Sequence, residues 1–157
     1  MEESREKIYK EYKLSRDSIQ LVDVFVTQCA AEAVVDLDDP NFYDDVPVND
    51  LRLNHSYEWI NDTVAKGYLV AKIDVLSSTA KQTIAQFSIK VVGVFKITTG
   101  ENVAKNEFVR RLELQIVPQL LPYVRSALTS LSALLTLPPV TLPTMDVLLS
   151  IKKNGQA

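Results

Sequence analysis

A thiol, an imidazole and a carboxylate can make a nucleophile with its base. This chain has one cysteine, Cys29, and one histidine, His55, with Glu58 three residues further on. A Cys–His pair would raise a thiolate for acyl transfer. Cys29, however, sits inside "SIQLVDVFVTQCAAEAVV" (18–35), a β-branched, apolar stretch where an inert buried thiol is expected. His55 beside Glu58 makes no further constellation. The acidic run "DLDDPNFYDDVPVND" (36–50) carries Asp36, Asp38, Asp39, Asp44, Asp45 and Asp50. It lacks the sixth-position glycine and terminal glutamate of an EF-hand loop, so it reads as a solvated acidic loop. Four glycines in the whole chain leave no phosphate-cradling loop. The reading is a binding protein: not an enzyme, with no cofactor and no metal. A ligand ordered near His55 would be needed to reopen catalysis.

Composition narrows what could be bound. A net charge of −3 provides no basic face for nucleic acid. With 46% hydrophobic and 24% charged residues over 157 positions, the chain should fold as a single domain, 1–157. A lone cysteine excludes an internal disulfide and fits a reducing compartment. The start, "MEESREKIYKEYK", has no apolar core of a secretory signal, and no 18-residue apolar run suggests membrane insertion. "NHS" and "NDT" fit the glycosylation pattern, which means nothing without secretion. The expectation is a soluble cytoplasmic protein.

The elements follow from periodicity. Residues 1–17 are charged, with Ile8, Tyr9 and Tyr12 as a thin apolar edge, and read as a short peripheral helix or a partly ordered tail. Residues 18–35 read as a strand with a bend near Ala30. "GYLVAKIDVLSS" alternates, with Leu69, Ala71, Ile73 and Val75 on one side. After the polar turn "TAKQ", "TIAQFSIKVVGVFKI" alternates again, with Ala85, Phe87, Ile89 and Val91 inward; Val92-Gly93 breaks the pattern as a β-bulge would. Two such strands make an antiparallel hairpin with one wet face. Then the period lengthens: Phe108, Leu112, Ile116, Leu120, Val124, Leu128, Leu131 and Leu135 mark a long helix. Pro118 and Pro122 lie inside it, one turn apart, and bend it. "LPPVTLP" (137–143) stops it, and Thr144 can cap a short final helix. Strands first and helices after indicate an α+β fold.

Between Leu114 and Ile151 only Arg125 and Asp146 are charged. Opposite the apolar stripe stand Gln115, Gln119, Ser126, Thr129, Ser130 and Ser132, small and uncharged. Two arrangements fit: a helix buried on both sides within one fold, or a face packed on another subunit, where charge is depleted. Self-association is the preferred one, with Leu120, Val124, Leu128 and Leu131 as interface residues.

At "VPQLLPYVRSALTSL" the chain resembles the SecB export-chaperone family. Pro118, Pro122, Tyr123 and Arg125 meet its Pro-x-x-x-Pro-Tyr-x-Arg signature; "LTLPPVTLP" and Asp146 match the loop and short helix that follow. The hairpin is similar too, through Gly93 and Phe95, so residues 68–151 resemble the family well and 19–60 loosely. The resemblance implies a four-stranded antiparallel sheet with a long bent helix and a short C-terminal helix on one face, assembled as a homotetramer, a dimer of dimers. It implies ATP-independent binding of unfolded polypeptides, for export or for guarding a client such as the antitoxin of a toxin–antitoxin system. Leu51, Leu53, Leu137, Val140, Leu142, Met145 and Leu149 would line the peptide groove. On the outer sheet face, where family members are acidic and dock the Sec motor ATPase, this chain has Gln28, Gln86, Ser88 and Lys90, with Glu32 alone acidic. Docking to that motor is therefore not expected. The alternative function is an oligomeric adaptor with one dedicated protein partner.

Overall fold

A computed structural model describes residues 2–35, 47–78, 82–98, 104–138, 140 and 142. Helix α1 (Glu2–Ser18) leads directly into strand β1 (Ile19–Ala33); β2 (Val48–Asn61), β3 (Val64–Leu76), β4 (Thr83–Ile97) and helix α2 (Lys105–Leu134) follow. The four strands form one antiparallel sheet in the order β1-β4-β3-β2. The fold is α+β, as the sequence predicts. The expected short C-terminal helix lies outside the described residues, as do 36–46 of the acidic run; its last residues, Val48 to Asp50, already belong to β2 rather than to a loop.

The central strands behave as their alternation requires. Ala65, Leu69, Ala71, Ile73 and Val75 of β3 and Ala85, Phe87, Ile89, Val91 and Phe95 of β4 are buried on one face. Against them α2 sets Phe108, Leu112, Ile116, Leu120, Val124 and Leu128, the repeat of four residues read from the sequence. Each large side chain removed from water contributes about 1.5–3 kcal/mol, so this single layer of contacts holds helix and sheet together.

Two local expectations are corrected. No register shift between β3 and β4 occurs at Val92-Gly93, where Gly93 pairs with Gly67. Gly93 keeps the inward alternation; it is small because the helix lies on it. A Cβ on Gly67 would stand 2.8 Å from Ile116 Cγ1, and one on Gly93 2.8 Å from Leu120 Cδ2. The irregularities fall instead on β1, between Leu21 and Asp23 and between Val26 and Gln28, while pairing runs regularly through Ala30, where a bend was expected. Of the two readings of the N-terminal segment, the structure shows the helix, 17 residues long. Its contacts with α2 include Gln115 Nε2 donating to the Tyr12 carbonyl at 3.4 Å and an ion pair between Arg110 and Glu11. Ile8 and Tyr12 are half-buried there, but Tyr9 is exposed.

Both prolines lie within α2 on the side away from the sheet. Pro122 is exposed and Pro118 half-buried, whereas Ile116 and Leu120, two residues before each, are fully buried. Proline on that side bends a helix toward the opposite one, which suits a sheet that twists beneath it.

Candidate peptide-binding surface

The first candidate chemistry does not assemble. Cys29 lies on edge strand β1 and His55 on the other edge, β2, with β4 and β3 between them. Three strand spacings separate them by roughly 14 Å. Cys29 is also exposed rather than buried, because β1 is an edge strand and the helix covers only part of it. Among the described residues no group of histidine, cysteine or acidic side chains could hold a metal ion.

The apolar residues expected to bind polypeptide are placed as follows. Leu51 and Leu53 pair with Ile73 and Ala71, which puts both on the helix side of β2, half-buried at the margin of the core. Trp59 continues that row, its ring 4.8 Å from Phe108 and capped by the Lys105 ammonium at 5.0 Å. Leu137 and Leu142 are likewise half-buried against the core, while Val140 is buried. Met145 and Leu149 lie outside the described residues. Sequence reasoning missed Trp59 and Tyr57, which pack edge to face at 6.1 Å. Alternation along "LRLNHSYEW" was the available signal, obscured because His55 and Tyr57 occupy inward positions of an edge strand.

The subunit-contact assignment is corrected for most of its residues. Leu120, Val124 and Leu128 have no exposed surface in the single chain, and Leu131 is half-buried against the same core. They face the sheet. Of the small polar residues, Gln115 and Ser132 are buried as well, and Gln119 is half-buried. Ser126, Thr129 and Ser130 remain exposed, beside Tyr123 and Leu134. Thr129 Oγ1 donates to the Arg125 carbonyl at 3.0 Å and Ser130 Oγ to that of Ser126 at 3.2 Å. Hydroxyls bonded within their own helix are cheaper to desolvate than free ones. This face suits self-contact better than the leucines do.

No protein-family profile and no curated protein matches the chain. Solved structures do. The chain superposes on a Mycobacterium tuberculosis SecB-like chaperone, solved in complex with a ChAD peptide from the HigA1 antitoxin, with a TM-score of 0.69. The match covers 87% of this chain and 97% of that one, at 16% identity. The fold is that of a SecB-like chaperone. A Streptococcus agalactiae protein of unknown function also matches, at a TM-score of 0.42 and 17% identity, over 79% of this chain and 95% of that one.

On this SecB-like fold the outer sheet face carries both signs of charge. Register places Gln28 beside Lys90, Ala30 beside Ser88 and Glu32 beside Gln86, the polar face anticipated from alternation. The same face carries Asp74, bound by Arg52 at 2.9 Å, and Glu58, whose carboxylate accepts from Tyr68 Oη at 2.8 Å. That hydrogen bond first, then burial and the nearby carboxylate charge, hold the Tyr68 phenol above its ordinary pKa. The Lys90 ammonium lies 5.4 Å from the Tyr68 ring. Arg52 and Lys90 stand among Glu32, Glu58 and Asp74, so both signs are interspersed on this face.

Proposed function

We infer that the protein is a chaperone that binds unfolded polypeptide in extended form, without nucleotide, along the apolar margin formed by Leu51, Leu53, Leu137, Val140 and Leu142. Met145 and Leu149 extend that lining in the sequence. The observation that carries this reading is the half-buried leucine row on the helix side of β2, on a fold shared with a chaperone solved with an antitoxin peptide. Leucines at the edge of a core offer apolar area to an extended segment without the chain itself unfolding. An antitoxin is one client class this supports; polypeptides awaiting export are the other. The working assembly is a homotetramer of two dimers, with the uncharged outward side of α2 as one contact, and its place is the cytoplasm.

The test is aggregation of a chemically denatured model protein with and without the chain, in the presence and absence of ATP. Protection in both conditions is expected. Leu53→Ser and Leu142→Ser should each weaken protection with the fold intact, since each removes apolar contact worth roughly 1–3 kcal/mol. Unchanged protection by both variants sinks the groove assignment. Protection of one protein only, among several unrelated ones, favours the dedicated adaptor.

A further inference from the structure

The end of α2 is closed by two backbone hydrogen bonds: Leu137 N–H to the Ser132 carbonyl and Thr136 N–H to that of Ala133, both at 3.0 Å. This pattern requires a left-handed residue between them, and glycine ordinarily supplies it. Here it is Thr136, at φ 58°, the only non-glycine residue with positive φ among the described residues. A β-branched residue in that region is strained.

What holds the strained turn shut is Ser132. Its hydroxyl is fully buried and donates to the Leu128 carbonyl at 2.7 Å. The same oxygen accepts the Val140 N–H at 3.4 Å. Through that contact the chain doubles back, and Val140 fills the end of the core with 5% of its surface exposed. The tie is long for a hydrogen bond, so it is weak. Val140 is thus held down by one weak bond and its own burial, next to a turn that gains by relaxing. Leu137 and Leu142, which flank Val140 in sequence, are half-buried against the same core.

We propose that Ser132 and Thr136 form a strained latch: when it opens, Val140 leaves the core and an apolar side chain of an extended polypeptide takes its place. The strain at Thr136 lowers the cost of opening, and Ser132 sets the closed position. Both are positioning residues for the groove described above, and the polypeptide part of the proposal rests on that reading.

Amide hydrogen exchange at Val140 and Leu137 tests the latch without any client. Ser132→Ala removes the acceptor, and exchange at Val140 should quicken at least about threefold. Thr136→Asn relieves the left-handed strain, because asparagine tolerates that region; exchange at both amides should slow. Binding of a permanently unfolded, carboxymethylated model protein, followed by calorimetry, should tighten for Ser132→Ala and weaken for Thr136→Asn. Exchange at these amides that follows global unfolding in all three proteins overturns the latch. Shifted exchange with identical probe affinity overturns the gating. Shifted exchange with no probe binding by any of the three proteins removes the client reading, and the gating with it, while leaving the local opening established by its own measurement.

Discussion

At the scale of single residues, the close approach of helix and sheet depends on two paired glycines. A Cβ on Gly67 would meet Phe95 Cε2 at 2.7 Å and Ile116 Cγ1 at 2.8 Å, both in fully buried side chains. On Gly93 the clashing atoms include the methyl ends of Leu120 and Leu21, which can turn aside more easily. Gly67→Ala should therefore destabilise by about 1–3 kcal/mol, and Gly93→Ala by less, read from urea midpoints. Tyr68 permits a pH test. Its folded pKa is raised because the phenol donates to Glu58, so the neutral form is the stabilised one. Stability from this group is fully present below its unfolded pKa, near 10, and is lost as pH rises through the higher folded value. Tyr68→Phe should lose that alkaline decline; equal midpoint shifts between pH 9 and 11 for both proteins would contradict it.

At the scale of elements, α2 has two sides with opposite tasks. Leu128 is fully buried against the sheet, so Leu128→Glu should unfold the chain rather than only separate subunits, with loss of far-UV circular dichroism. Ser130 is exposed on the other side and bonds only its own helix. Ser130→Glu should leave the circular dichroism unchanged and weaken self-association by about tenfold or more if that face is a desolvated contact. Helix α1 limits where such a contact can lie. It covers the outward side near Gln115, which is fully buried, and leaves the stretch from Tyr123 to Leu134 open.

At the scale of the whole molecule, the sheet's outer face determines which charged partners can be steered to it. Glu32, Asp50, Glu58 and Asp74 are interspersed with Arg52, Lys66, Lys72 and Lys90 along the four strands. Fields from alternating charges cancel within a Debye length, about 10 Å at ordinary salt. These strand residues therefore supply little long-range attraction for a basic surface. Binding to the Sec motor ATPase should be weak or undetectable by calorimetry even where unfolded chains are held normally. Gln86→Glu with Ser88→Asp should raise that affinity. Tight, salt-sensitive binding by the unmodified chain would restore delivery to the translocase. Light scattering in dilute neutral buffer decides the assembly, and a stable monomer excludes the tetramer.

Regular alternation and the repeat of four residues were enough to read β3, β4 and α2 from sequence, because each presents one continuous apolar side and burial follows from that side alone. The Pro-Tyr-Arg signature within α2 pointed to the SecB-like fold by resemblance alone; its two prolines lie inside the helix, one half-buried and one exposed. β2 was not legible, since His55 and Tyr57 interrupt its inward row, and an edge strand needs less apolar area than a central one. Which leucines of α2 face the sheet and which side remains open was decided only in three dimensions. Periodicity identifies a stripe but not what covers it; here the sheet took the leucines, and α1, whose sequence is mostly charged, covered part of the other side. Cys29 shows the same limit: apolar neighbours suggested burial, but its position on an uncovered edge leaves it in solvent. Local sequence fixes backbone period and the sidedness of each element, while exposure depends on partners distant in the chain.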